Sequence, residues 1–184
     1  MGEADGHLEG AMVPTNAAHV RPLRRGDLPR VGELRLWYLA ETARLEPRLR
    51  LADDARDRVG ASVAAWWGQD DRVVLVVEDS LALVPAGEDA PLLGYATGLL
   101  SVWPPVFRVQ HVGEVSECFV VPASRGKGHG RVLLAGLVDA LVRRGAAVLR
   151  APVPARNDGS LGLFRALGFT PWMRVLERTA AGER

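Results

Sequence analysis

The chain has 184 residues, 48% of them hydrophobic and 24% charged, with a formal net charge of +1 at pH 7. That size fits one globular domain with a real core, and the near-neutral charge gives no electrostatic case for nucleic acid. A single cysteine excludes an internal disulfide, four scattered histidines offer no metal-ligand spacing, and no apolar run is long enough to span a membrane.

Residues 1–18 mix Gly, Ala, Glu and Asn without periodicity and are expected to form a loose tail. His19–Leu23 reads as a first strand. Asp27 then precedes Leu28, Val31, Leu34 and Tyr38, an apolar helical face with Asp27 as expected N-cap, and Pro47 breaks the pattern. Asp53 or Asp54 opens a second helix carrying Val59, Val63, Trp66 and Trp67, ended by Gly68. The two tryptophans read as core rather than as a ligand box. Arg72–Glu78 is a valine-rich strand. Pro85, Gly87 and Pro91 place a loop within 79–91, and Leu92–Ser101 is the next strand.

Trp103-Pro-Pro-Val-Phe107 cannot pair as a central strand, since its two prolines lack donors. Gly113–Val121 is a strand that runs into Pro-Ala-Ser-Arg-Gly-Lys-Gly-His-Gly, residues 122–130. From Gly130 a helix follows, with Leu133, Leu134, Leu137, Val138 and Leu141 as a wide apolar stripe and Gly145 past its end. Ala146–Val153 is a strand punctuated by Pro152 and Pro154. Asn157 or Asp158 caps a short helix to Leu167, and Trp172–Glu177 is the expected last strand. Order and spacing give an α+β (mixed α/β) fold with one sheet and helices on its faces, one domain over 19–178, and a tail at 179–184.

The glycine loop is the most informative segment. Glycines at 126, 128 and 130 let the backbone turn tightly and bare its amides, and the helix start adds unpaired N–H groups and a positive dipole end. Together these suit an anion, most naturally phosphate. Lys127 is followed by Gly128 rather than Gly-Lys-Ser/Thr, which excludes a Walker loop. Counting from Gly126 and Gly128, a G-x-G-x-x-G fingerprint would need glycine where Arg131 stands, which argues against a nicotinamide oxidoreductase.

What stands here is Arg-x-x-Gly-x-Gly at Arg125, Gly128 and Gly130. It resembles the acetyl-CoA pyrophosphate loop of the GNAT superfamily of N-acetyltransferases. Asn157, Ser160, Phe164, Leu167, Gly168 and Phe169, about thirty residues downstream, resemble the family's Asn-x-x-Ala…Tyr…Gly-Phe signature. The resemblance covers His19 to Arg178. It implies a central, mostly antiparallel sheet with a fourth strand splayed from the fifth to form a CoA cleft. It also implies acetyl-CoA as donor, a primary amine on a small molecule or peptide as acceptor, and direct transfer in a ternary complex. No metal is implied, a homodimer is left open, and the absence of a leader pattern leads to the expectation of a cytoplasmic protein.

Within that frame the loop amides from Arg125 to Arg131 (Gly126, Lys127, Gly128, His129, Gly130) form the cradle, with the Arg125 and Lys127 side chains adding charge. The strand edge Phe119, Val120 and Val121 meets pantetheine, and the amide of Phe119 or Val121 holds the thioester oxygen. Asn157, Ser160 and Phe164 line the cofactor side, and Asn157, meeting pantetheine or an ordered water, is also a candidate catalytic residue and a helix cap. Residues 115, 117, 119 and 121 read Val, Glu, Phe, Val, so alternation puts Glu117 on an apolar face as the candidate general base. Its rival reading is a structural partner of an arginine, and Glu114 is the second candidate. Phe164 stands where the family often has a tyrosine acid. A thiol titrates at about 8.5, so loss of that acid need not abolish turnover. If it did, the chain would be an acyl-CoA-binding sensor or scaffold. Tyr95 reads as core, Cys118 as a small buried residue, and His111 as a solvated loop residue.

Overall fold

The computed structural model describes residues 18–79, 82, 90–176 and 178. The expected tails therefore lie outside the described residues, apart from Ala18, as does most of the 79–91 loop. The elements run β1 (Ala18–Pro22), α1 (Leu28–Leu45), α2 (Ala55–Ala64), β2 (Arg72–Asp79), β3 (Leu92–Val102), β4 (His111–Val120), α3 (His129–Arg143), β5 (Val148–Arg150) and α4 (Asp158–Ala166). The five strands lie in sequence order, antiparallel except for the β4–β5 pair. This is the mixed fold expected from the sequence.

Helices cover both faces, which is why β2 reads as an almost unbroken apolar run. Val73, Leu75 and Val77 meet Leu133, Leu134, Leu137 and Leu141 of α3 on one face. Val76, Tyr95 and Phe119 meet Val31, Leu34, Val59, Val63 and Trp66 of α1 and α2 on the other. Asp27 precedes α1 but does not cap it. Its carboxylate, 6% exposed, accepts from Arg21 Nη1 at 2.7 Å and from the Arg24 amide at 2.6 Å, fastening β1 to the start of α1.

Two sequence expectations fail at the C-terminal end, for one reason. β5 spans three residues instead of Ala146–Val153, because Pro152 and Pro154 carry no N–H to extend the ladder. With so short an edge strand there is no ladder for a sixth strand to join. Residues 171–176 are irregular and exposed, with Trp172 stacked on Trp103 at 5.8 Å between ring centroids.

A third difference bears on the site. Thr97 pairs with Glu117 and Gly98 with Val115, so Ser116 is an extra residue in β4, a β-bulge. It breaks the two-residue alternation. Val115 packs with the α3 face, whereas Phe119 packs with the α1–α2 face. The expected run of 115, 117, 119 and 121 on one face therefore holds only from Glu117 onward.

Candidate active site

β4 pairs with β5 only at Val112, Gly113 and Glu114. Beyond the bulge its outer edge has no strand beside it, and a narrow slot opens there. Tyr38 lines it from α1, Ser116, Glu117 and Cys118 from β4, Pro152–Pro154 from the segment after β5, and Asn157, Ser160 and Phe164 from α4. Three sequence-predicted site residues, Asn157 just before α4 and Ser160 and Phe164 on it, thus meet Glu117 across one gap, whereas Glu114, Phe119, Val120 and Val121 do not line it. A larger hollow of about 890 Å³ lies elsewhere, between β1, the end of α2 and α3, and none of the slot residues lines it.

The amides available at this edge differ from those expected. Val121 N–H donates to the Leu93 carbonyl at 2.8 Å, so it faces β3. Strand period puts Phe119, paired opposite Tyr95, on the same side. Cys118 and Val120 are the residues whose backbone groups face the gap. The expected oxyanion donors therefore shift by one residue.

The glycine loop follows a short 3₁₀ turn at Pro122–Ser124. Gly126 and Gly128 have φ of 74° and 86°, values that only glycine adopts cheaply, and a Cβ on either would meet open space. The constraint there is backbone shape, not crowding by the protein. Arg125 N–H closes onto Pro122 O at 3.2 Å and Arg131 N–H onto Gly128 O at 3.0 Å, which narrows the expected cradle to residues 126–130. His129 and Gly130 open α3 within its first turn, where amides have no intrahelical acceptor. The His129 ring is 7% exposed and its Nδ1 has no hydrogen-bond partner.

The Arg125 side chain does not join the cradle. Its Nε donates to Val120 O at 2.9 Å, its Nη2 grips the Glu41 carboxylate at 2.7 and 2.9 Å, and its guanidinium lies 5.4 Å from the Phe119 ring centre. It ties β4 to α1. The Arg131 side chain lines the distant hollow instead.

Glu117 lies on the slot but is heavily engaged. Arg35 Nε reaches both carboxylate oxygens at 3.0 and 3.1 Å, Arg35 Nη2 reaches Oε1 at 2.9 Å, and the Tyr95 hydroxyl donates to Oε2 at 2.6 Å. Arg35 also donates to Ser62 Oγ at 2.7 Å and sits 4.8 Å above the Trp66 ring. Here the rival reading, a glutamate paired with an arginine, describes the geometry. Tyr95 is fully buried, and burial with the adjacent Glu117 charge pushes its phenol well above the usual range. Glu114, the second candidate, is bound by Arg150 Nε at 2.8 Å, beside the paired end of β4.

Asn157 caps α4 through Oδ1, which accepts from Ser160 N–H at 3.0 Å, leaving its amide group toward the slot. Phe164 is 8% exposed and meets Phe169 edge-on at 5.1 Å. Burial raises the Cys118 thiol to about 12, which leaves it protonated and unsuited to nucleophilic work. The Ser116 hydroxyl is buried without a partner. Tyr38, Arg35 and Ser116 were not singled out as site residues from sequence. Arg35 and Tyr38 fall at helical spacing with Glu41 and Thr42, a polar stripe beside the apolar face of α1, and that spacing was the available signal. No three His, Cys, Asp or Glu side chains among the described residues gather as a metal site.

The acetyltransferase (GNAT) family profile matches residues 33–169. The chain belongs to that family. Among characterised GNAT relatives, streptothricin acetyltransferase of Streptomyces lavendulae is 33% identical over 91 residues, 50% of this chain and 45% of the relative. Mycothiol acetyltransferase of Renibacterium salmoninarum is 35% identical over 63 residues, 34% of this chain and 19% of the relative. The matched stretches thus span less than half of these relatives. A tetramutant of a Bacillus halodurans protein superposes with a TM-score of 0.70 at 17% identity, covering 88% of this chain and 99% of the other. Aminoglycoside N-acetyltransferase AAC(6')-Iy in complex with CoA gives 0.62 at 19% identity, covering 89% and 95%. At these identities the superpositions speak for the GNAT fold alone. No helix among the described residues is long and apolar enough to cross a membrane.

Proposed function

We propose that the protein moves an acetyl group from acetyl-CoA to a primary amine by direct transfer in a ternary complex. The observation that carries this is the slot at the unpaired edge of β4, a strand that runs on into the left-handed Gly126 and Gly128 turns, with Asn157, Ser160 and Phe164 lining the slot. Acetyl-CoA supplies the acyl group. Amides from Gly126 to Gly130, with the dipole of α3, hold its pyrophosphate. The Cys118 peptide groups and the Val120 N–H pair with pantetheine, and one of these N–H groups stabilises the oxygen as charge develops there. The unpaired Ser116 Oγ and His129 Nδ1 are polar atoms that a bound ligand would satisfy.

Among the described residues, Glu117 is the one carboxylate that lines the slot. Both its oxygens already accept from Arg35 and one also from Tyr95, so it takes the amine proton through a bridging water rather than by direct contact. The name of streptothricin acetyltransferase favours a small-molecule amine. Two measurements test the assignment: calorimetry with CoA, and thiol release from acetyl-CoA across amines, amino acids, polyamines, aminoglycosides and peptides. Binding of CoA with thiol release for at least one amine is the expected result. Tight binding with no release for any would leave the sensor reading instead, and no binding would remove both.

A further inference from the structure

Two aromatic side chains reach the slot from opposite faces of the sheet. Phe164 comes from α4, and its ring has no proton to give. Tyr38 comes from α1 and stands edge-on to Phe119 with ring centroids 6.4 Å apart. We propose that Tyr38 is the proton donor to the departing CoA thiolate, an assignment that rests on the acyl-transfer reading above. In that step the carbon–sulfur bond breaks and its electron pair goes to sulfur. The Tyr38 hydroxyl proton moves to the sulfur, and the phenolate is then reprotonated by the amine proton passed on from Glu117 through water.

The other proton-bearing groups around the slot suit this role less well. Tyr95 is fully buried, and its hydroxyl is committed to Glu117 at 2.6 Å. Burial holds the proton of the Cys118 thiol up to about 12. Ser116 carries an aliphatic hydroxyl, which gives up a proton far less readily than a phenol at about 10. It is fitted to hydrogen-bond a ligand rather than to protonate one. The charges facing Tyr38 are Glu117 from β4 and Arg35 one turn earlier on α1. Burial pushes the phenol upward and the Glu117 carboxylate adds to it, while the Thr42 hydroxyl and Arg35 oppose. Tyr38 therefore carries its proton at neutral pH. The thiolate that forms beside it is the stronger base only while it is desolvated in the slot, which is when the transfer is required.

The test needs no knowledge of the acceptor. CoA and desulfo-CoA, which lacks the sulfur, are titrated into the wild type, Tyr38→Phe and the double variant Tyr38→Phe/Phe164→Tyr. If the hydroxyl meets the sulfur, Tyr38→Phe loses about fivefold in affinity for CoA, one ordinary hydrogen bond, and nothing for desulfo-CoA. The double variant regains the difference, because position 164 faces the same slot. Equal losses for both ligands would make Tyr38 a packing residue and overturn the proposal. In turnover with the amine that releases thiol fastest, Tyr38→Phe lowers kcat by on the order of tenfold at unchanged KM for acetyl-CoA. That is below the usual range for a general acid because a thiolate leaves without full protonation. An unchanged kcat in Tyr38→Phe would also overturn it. Failure of the wild type to bind either ligand would instead remove the parent reading, so the two failures are distinguishable.

Discussion

Replacing Glu117 by glutamine separates two roles that the geometry gives to one carboxylate. The side chains of Arg35 and Glu117 are 17% and 11% exposed. Breaking a fully buried pair costs about 3–5 kcal/mol, and an exposed pair contributes under about 1. Glutamine keeps one oxygen for Arg35 and can turn its amide toward the Tyr95 oxygen, which recovers part of the loss. The net cost is then about 2–3 kcal/mol, or roughly 4–12 °C in Tm for a chain of this length. Differential scanning calorimetry reads that shift. Thiol release reads the chemistry: with the carboxylate gone, the rate at neutral pH falls on the order of one hundredfold. The loss shrinks as pH rises and more of the amine arrives uncharged. CoA affinity stays near wild type, since the Glu117 carboxylate is held by Arg35 and Tyr95 and not by the glycine loop. A Tm unchanged within 1 °C or so would refute the ionic joint. A full rate at neutral pH would refute the proton-relay role. A rate loss that is the same at every pH would leave Glu117 a joint and nothing more.

Gly130→Ala should pull stability and binding in opposite directions. Its added Cβ would lie 3.6 Å from Leu163 Cδ2 and 3.8 Å from Val120 Cγ2, ordinary contacts, so α3 gains about 0.5–1 kcal/mol while CoA affinity falls roughly tenfold. Calorimetric melting and titration check the two signs, and unchanged affinity would remove the pyrophosphate from this helix start. Arg125→Ala should cost about 1 kcal/mol through lost ties to Val120 and Glu41 and change CoA affinity by no more than about twofold, by the same titration. A tenfold loss would return its guanidinium to the cradle. Asp27 and Glu78 are both burial-disfavoured as anions, yet Arg21 holds both carboxyls below their usual range. Groups lowered on folding stabilise the native state above their unfolded values, about 4, and lose that contribution as pH falls through the lower folded values. Tm should therefore be level above about pH 5 and drop steeply below 4, and Arg21→Met should flatten that drop.

Much of the architecture was legible because periodicity and punctuation agreed. The leucine stripe from Leu133 to Leu141 and the near-continuous apolar run of β2 each announce a buried element, and Gly145 and Gly168 fall in the left-handed turns that end helices. The C-terminal strand was misread because an apolar segment is a property of one stretch of chain, whereas a strand is a property of two. With Pro152 and Pro154 cutting β5 short, no ladder among the described residues is available for residues 171–176 to join.

The site was legible as composition and not as direction, and one residue accounts for most of the difference. The Ser116 bulge turns Glu117 from a face shared with Val115 to the face occupied by Phe119, beneath α1. There a single stripe of that helix meets the strand edge and its loop in order: Arg35 takes Glu117, Tyr38 lies against Phe119, and Glu41 takes Arg125. Two charges that sequence alone would assign to substrate are thereby spent on holding the helix to the edge. What remains for a ligand at the gap is the backbone of Cys118, the N–H of Val120, the Ser116 hydroxyl and the Tyr38 phenol, which Thr42 also meets. A charge on a single sequence names a chemistry, but whether it serves a ligand depends on which partner reaches it first. Here the long Arg35 and Arg125 side chains, reaching across from one element to the next, answer that question before any ligand arrives.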